Sequence, residues 1–212
     1  MSNENKKTQL IAGLLQHAHQ QNDGQLSYAV PNIFSKKLAS MALIREDILF
    51  VKDAFTKLKI SKEGNNRDET IELSLFFAAI SQYGRCFNSN QGGHSKLEPG
   101  DLFGADDQNF KNVHDELIEL RNSYVAHRDD TEYEQAVVIM KIPVEGNEEG
   151  ITFNVKSAKT ASTAPENIES YIGLCDFILP KIQAKIQSNS DKTRDGLFKN
   201  LSPEHINMLR IS

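Results

Sequence analysis

Apolar side chains in this chain recur mostly at spacings of three and four, the period of an amphipathic α-helix. Residues 8–21 set Leu10, Ile11, Leu14, Leu15 and Ala18 on one side, and Asn22-Asp23-Gly24 stops the pattern. Pro31 suits the first turn of a second helix. From there Phe34, Leu38, Met41, Ile44, Ile48, Val51, Phe55 and Leu58 mark one long stripe, or two helices nearly in line. The polar run 62–68, with Gly64-Asn65-Asn66, predicts a loop. A third helix over 68–87 is apolar around much of its girth, through Leu73, Phe76, Phe77, Ile80, Tyr83 and Phe87, and is expected to be the most buried. Residues 88–105 hold four glycines and one proline, and read as a long ordered loop. Phe110, Val113, Leu117, Leu120 and Tyr124 then mark a fourth helical stripe.

After it the period falls towards two. Residues 136–142 and 151–155 predict strands, and the Glu- and Gly-rich stretch 145–150 suits a hairpin connection. A last long helix over 165–188 carries Ile168, Tyr171, Ile172, Leu174, Cys175, Ile178, Leu179, Ile182 and Ile186. Pro180 removes a backbone hydrogen bond in its middle and is expected to bend it. Ser202-Pro203-Glu204 opens a short terminal helix. The expected architecture is mainly α: a helical bundle with a β-hairpin inserted before the last long helix, as a single domain over 1–212. Its parts are N-terminal helices in 1–60, central and motif helices in 68–130, the hairpin in 135–156 and C-terminal helices in 165–212.

Composition changes this picture little. Hydrophobic residues at 39% and charged residues at 25% are ordinary for a globular chain. No apolar run approaches the roughly 20 residues that span a bilayer, so no membrane partner is expected. The polar N-terminus lacks a signal-peptide core, which predicts a cytoplasmic protein. Cys86 and Cys175 lie on apolar helical patterns and read as buried free thiols. Charge is more informative. Residues 1–60 carry eight basic against five acidic side chains, whereas 61–130 carry seven against thirteen. A general nucleic-acid binder presents a basic surface. Any RNA contact here must be local, or use the basic N-terminal third.

The most suggestive chemistry lies on the fourth helix, where Arg121 and Asn122 precede His127. At about 100° per residue, Arg121 falls roughly 60° to one side of the apolar stripe and His127 roughly 60° to the other. A straight helix splays them; they converge only if the helix ends, bends or meets a second copy near His127. Arg121-Asn122 followed by His127, late in an all-α bundle, resembles the Arg-polar-x(4)-His signature of the HEPN superfamily (higher eukaryotes and prokaryotes nucleotide-binding). The wider string is similar to bacterial HEPN-like proteins: Tyr83-Gly84-Arg85-Cys86-Phe87, a Gly-rich loop, His114, then Leu120-Arg121-Asn122 and Ala126-His127. The likeness covers residues 68–130.

The resemblance implies a HEPN-like bundle and a metal-independent RNA endonuclease of toxin or phage-defence type. It implies a homodimer whose two motifs face one cleft, with RNA as substrate and an antitoxin as a further partner. Such chemistry needs no cofactor. A neutral imidazole titrating near pH 6.5 removes the 2′-hydroxyl proton. A guanidinium meets the charge developing on phosphorus with two parallel donors. His127 takes the first role and Arg121 the second, while Asn122 orients phosphate or imidazole; the products are a 2′,3′-cyclic phosphate and a 5′-hydroxyl. Arg85, His114, His94 and Lys96 are candidate substrate contacts. The bland readings stand beside these. Arg121 pairs with Glu116, Glu119 or a neighbouring helix, and His127 caps a helix C-terminus. Arg85 pairs with an acidic residue of the motif helix, His114 is a buried hydrogen-bonded histidine, and the Gly-rich loop is a linker. The chain is then a non-catalytic dimerisation or ligand-binding module. No Cys, His or carboxylate cluster has metal-ligand spacing.

Overall fold

The computed structural model describes residues 3–20, 27–88, 95–122, 134–141, 152–159 and 165–210. The fold is mainly α, with one two-stranded antiparallel hairpin before the last long helix. The order is α1 (Asn3–Gln20), α2 (Asn32–Glu63), α3 (Glu69–Phe87), α4 (Pro99–Leu102) and α5 (Gln108–Leu120). Then come β1 (Glu134–Lys141), β2 (Thr152–Lys159), α6 (Pro165–Asn200) and α7 (Pro203–Asn207). Two compact units form, one from both ends of the chain (Met1–Met41 with Ala184–Ser212), the other from Ala42–Gln183. No helix among the described residues is long and apolar enough to cross a membrane.

In the second unit the expected stripes become the core. The long stripe of α2 is one unbroken helix, and Ile44, Ile48, Val51, Phe55 and Leu58 are buried along it. They meet the burial requirement together with Phe76, Ala79, Ile80 and Tyr83 of α3 and Ile168, Tyr171, Leu174 and Ile178 of α6. Each fully buried large side chain contributes about 1.5–3 kcal/mol. Lys52 pairs with Asp176 at 2.6 Å and Lys59 with Glu169 at 3.2 Å, tying α2 to α6 at its solvent edge. Cys86 and Cys175 are free and buried, and burial pushes both thiols up to about 12, which leaves them unreactive near neutral pH.

Several boundaries differ from the sequence expectation. Helix α1 begins at Asn3, in polar residues that give no apolar signal, and Leu10, Ile11 and Leu14 on it are exposed. Helix α6 runs through Pro180 and continues to Asn200, well past residue 188. The extension is polar and is held by other means: Arg194 lies 3.5 Å from Asp191 one turn away, and Thr193 Oγ1 donates to the Phe34 carbonyl at 3.0 Å. The described part of the expected long loop is structured. Leu97 and Leu102 are buried there, Pro99 opens α4, and residues 105–107 form a 3-10 turn in which Asp107 Oδ2 accepts the Gly104 N–H at 2.9 Å.

The hairpin register sets Val138 opposite Val155 and Met140 opposite Phe153 on one face. All four are exposed, as are Val137 and Ile139 on the other face.

Candidate functional site

The site is built on α3 and α5, which pack together within the second unit. Helix α3 starts at a defined point because Asp68 Oδ1 accepts from the N–H groups of Thr70 and Ile71, at 2.9 and 3.1 Å. Four residues on, Glu72 is a buried carboxylate in the first turn. Arg67 holds it with two hydrogen bonds of 3.1 and 2.8 Å and Ser61 adds a third at 3.0 Å. The Arg67 hydrogen bond is the largest cause holding the Glu72 carboxyl below the usual carboxylate range. This clamp joins the end of α2 to the start of α3, and so sets where α3's last turns lie.

Those last turns carry Tyr83, Gly84 and Arg85. Tyr83 is fully buried, and its hydroxyl shares a 2.7 Å hydrogen bond with His114 Nδ1. The His114 ring also meets Phe87 and Phe103, with centroids at 4.5 and 5.1 Å. Burial lowers the pKa of His114, with Asp115 pulling the other way and Lys111 adding to the lowering. A neutral imidazole sharing its Nδ1 hydrogen bond with the tyrosine hydroxyl meets this environment. His114 is therefore the buried, hydrogen-bonded histidine of the two readings.

Arg85 sits on the far side of α3 and is mostly exposed. Its guanidinium reaches Asp47 of α2, donating to both carboxylate oxygens at 2.8 and 2.9 Å, and Gln82 reaches the same aspartate at 2.6 Å. The expected pairing with an acidic residue of the motif helix is thus corrected: the partner belongs to α2. Which acidic residue faces α3 at that height depends on how the helices cross, not on spacing along either one. Lys96 lies 3.3 Å from Glu98, an ion pair near the chain's re-entry into the core at Leu97.

Arg121 immediately follows α5. Its N–H continues the helix, bonding back to Leu117 and Ile118 carbonyls, and Arg121 and Asn122 then take π-helical geometry. The described α-helical residues end at Leu120, and Tyr124, the last member of the expected stripe, lies outside the described residues. A π turn adds a residue to the helical circuit, so the straight-helix projection does not hold at Arg121 and Asn122. The Arg121 stem lies across Gly84, and its Nη1 donates to Asn122 Oδ1 at 2.9 Å. Among the described residues no carboxylate lies within ion-pair distance of this guanidinium. Glu116, one of the partners expected for it, instead accepts from the Tyr171 hydroxyl at 2.5 Å. Tyr124, His127 and His94 lie outside the described residues. The structure therefore brings Arg121, Asn122 and Gly84 together, and places His114 and Tyr83 in the core beneath α5.

Sequence reasoning missed Gly84 as the seat of Arg121. A signal was present, since a glycine inside an apolar helix often marks a close approach. It also missed the Glu72–Arg67 clamp, for which only the proximity of the two residues in sequence gave a hint. Among the described residues no group of three or more His, Cys, Asp or Glu side chains could hold a metal ion. No protein-family model, curated protein or solved structure matches this chain.

Proposed function

We propose that this chain is a HEPN-like protein acting as a metal-independent endoribonuclease of toxin or phage-defence type, a cytoplasmic homodimer controlled by an antitoxin partner. Arg121 carries the reading. A half-buried guanidinium, braced on α3 and hydrogen-bonded to a neutral amide with no described carboxylate on it, suits an anionic ligand. In the proposed reaction His127 takes the 2′-hydroxyl proton and the 2′-oxygen attacks phosphorus. Arg121 meets the charge on the non-bridging oxygens, and the 5′-oxygen leaves as its bond to phosphorus breaks, taking a proton from water. Asn122 orients Arg121 through the bond it accepts. Arg85, Lys96 and His94 are secondary candidates for contacts along the RNA backbone, and His114 supports α5 from within the core.

The test is digestion of single-stranded RNA by the purified chain with chelator present and end groups analysed. Expected are 2′,3′-cyclic phosphate and 5′-hydroxyl ends, with cleavage reduced at least a hundredfold in Arg121→Ala and in His127→Ala. Undiminished cleavage in either variant removes that residue from the mechanism, and no cleavage of any RNA removes the reaction. A second reading, a non-catalytic dimerisation module, is favoured by the hairpin. An isolated two-stranded sheet is marginal in water, and this one exposes Val138, Met140, Phe153 and Val155 on one face. Dimers by sedimentation together with no RNA cleavage would select this second reading.

A further inference from the structure

Glycine inside a helix weakens it relative to alanine, because it loses more backbone freedom on folding. Gly84 occupies such a position in α3 and is buried. A Cβ built there would stand 2.9 Å from Arg121 Cγ, 3.1 Å from Cδ and 3.4 Å from Nε. The Cγ contact matters most. Its position is set by χ1 alone, so no rotation farther out along the side chain relieves it. Relief needs a new χ1 rotamer or a wider spacing between α3 and α5. That spacing is pinned next door, where fully buried Tyr83 bonds His114 of α5 and Leu117 and Leu120 are buried on the same helix. The arginine must give way.

We infer that Gly84 is a positioning residue for Arg121: the bare backbone of α3 at this point fixes the direction in which the guanidinium is presented to a phosphodiester. The phosphodiester rests on the RNA reading above; the fixing of Arg121 does not. With a side chain at position 84, the stem swings off α3, the bond to Asn122 is lost, and the charge remains without its orientation. Rigid placement of a guanidinium fork is what separates bidentate recognition from a mobile point charge.

The experiment compares wild type, Gly84→Ala, Arg121→Ala and the double variant, each as the full chain. The Arg121 Nε–H resonance is assigned by its loss in Arg121→Ala. In wild type it is expected at a shift distinct from exposed arginines, and in Gly84→Ala it collapses onto them. RNA cleavage, and affinity for a fluorescein-labelled single-stranded oligonucleotide, fall in Gly84→Ala at least tenfold. The double variant is no worse than Arg121→Ala, and its melting temperature is not lower, because the new methyl then meets no stem. An unchanged Arg121 resonance in Gly84→Ala, or a further loss of RNA activity in the double variant, overturns the inference. If Gly84→Ala alone fails to fold while the double variant folds, the clash with the Arg121 stem is demonstrated; if both fail, the inference is overturned. Should wild type neither bind nor cleave RNA, the RNA reading falls, and the resonance alone decides whether Gly84 fixes Arg121.

Discussion

Tyr83 and His114 make the buried hydrogen bond on which α5 rests, and its consequences can be measured without any substrate. Tyr83→Phe leaves His114 Nδ1 buried and unpaired, for an expected loss of about 1–3 kcal/mol in urea unfolding. The histidine also gives a pH signature. Burial lowers its pKa below the ordinary value near 6.5, so the folded state favours the neutral ring. Its contribution to stability is then complete above about pH 6.5. As pH falls below that value the unfolded chain takes up the proton first, and stability declines until the lowered folded pKa is reached. Urea midpoints from pH 7.5 to 5.5 should show this decline in wild type and not in His114→Gln; parallel curves would remove the assignment. In sequence, His114 could be placed on Arg121's helix and a buried, hydrogen-bonded role stood beside a cleft role, but nothing in the spacing chose between them. Burial depends on Phe87 and Phe103, whose approach from α3 and from the segment before α5 is tertiary. Arg85 shows the same limit: its need for a partner was legible, whereas Asp47 was not.

Elements were read best where a period repeats and where a cap ends it. Helix α3 was expected over 68–87, and Asp68 in fact caps Glu69–Phe87 with two backbone hydrogen bonds. Asp68→Ala should cost about 1 kcal/mol, seen as a lower melting temperature; no change would mean that tertiary packing alone fixes the helix start. The Glu72 clamp, four residues after the Asp68 cap, carries its own pH dependence. Its carboxyl is held below the usual range mainly by Arg67, with a smaller share from Ser61, so the charged form is the one the fold favours. That contribution is present above about pH 4.5 and is lost as pH falls through the lowered folded pKa. Arg67→Ala should lower stability above that range and flatten its decline with acid, because the folded pKa then moves back towards the unfolded one, whereas Arg67→Lys should recover only part, lacking the second donor. The elements that escaped the pattern are those with no apolar period to follow. The polar end of α6 is held by Thr193 and by the Arg194–Asp191 pair, and α4 is held by burial of Leu102 and by Lys181, which donates to the Leu102 carbonyl and lies 3.2 Å from Asp107. The π-helical turn at Arg121 and Asn122 is likewise invisible in spacing, because it breaks the very rule by which spacing is read.

At the scale of the whole molecule the decisive property is charge. The chain carries a formal −5, and the region around the motif is its most acidic part. A protein that holds RNA by a broad basic surface releases many counterions, and its affinity falls steeply with salt. Here the primary proposed contact is Arg121, one guanidinium per copy and two in a dimer, while the secondary candidates Arg85 and Lys96 are already paired with Asp47 and Glu98, so few phosphates can be neutralised. For single strands the slope of log affinity against log salt is about −0.7 per phosphate contact, which predicts a slope of about −1.4 for the dimer. Arg121→Ala should bring that slope towards zero, while Lys36→Ala and Lys37→Ala, in the basic N-terminal third, should leave it unchanged. Fluorescence polarisation from 50 to 400 mM salt measures all of these on one oligonucleotide. A steep slope that survives Arg121→Ala but collapses with the N-terminal lysines would move RNA binding to residues 1–60, and Arg121 would then keep at most a role after binding. Local recognition also explains why weak attraction at distance suits such a site. In the proposed function, acidic surroundings repel bulk RNA, so association would depend on the fit of one phosphodiester to a guanidinium whose direction is inferred to be set by Gly84 of α3.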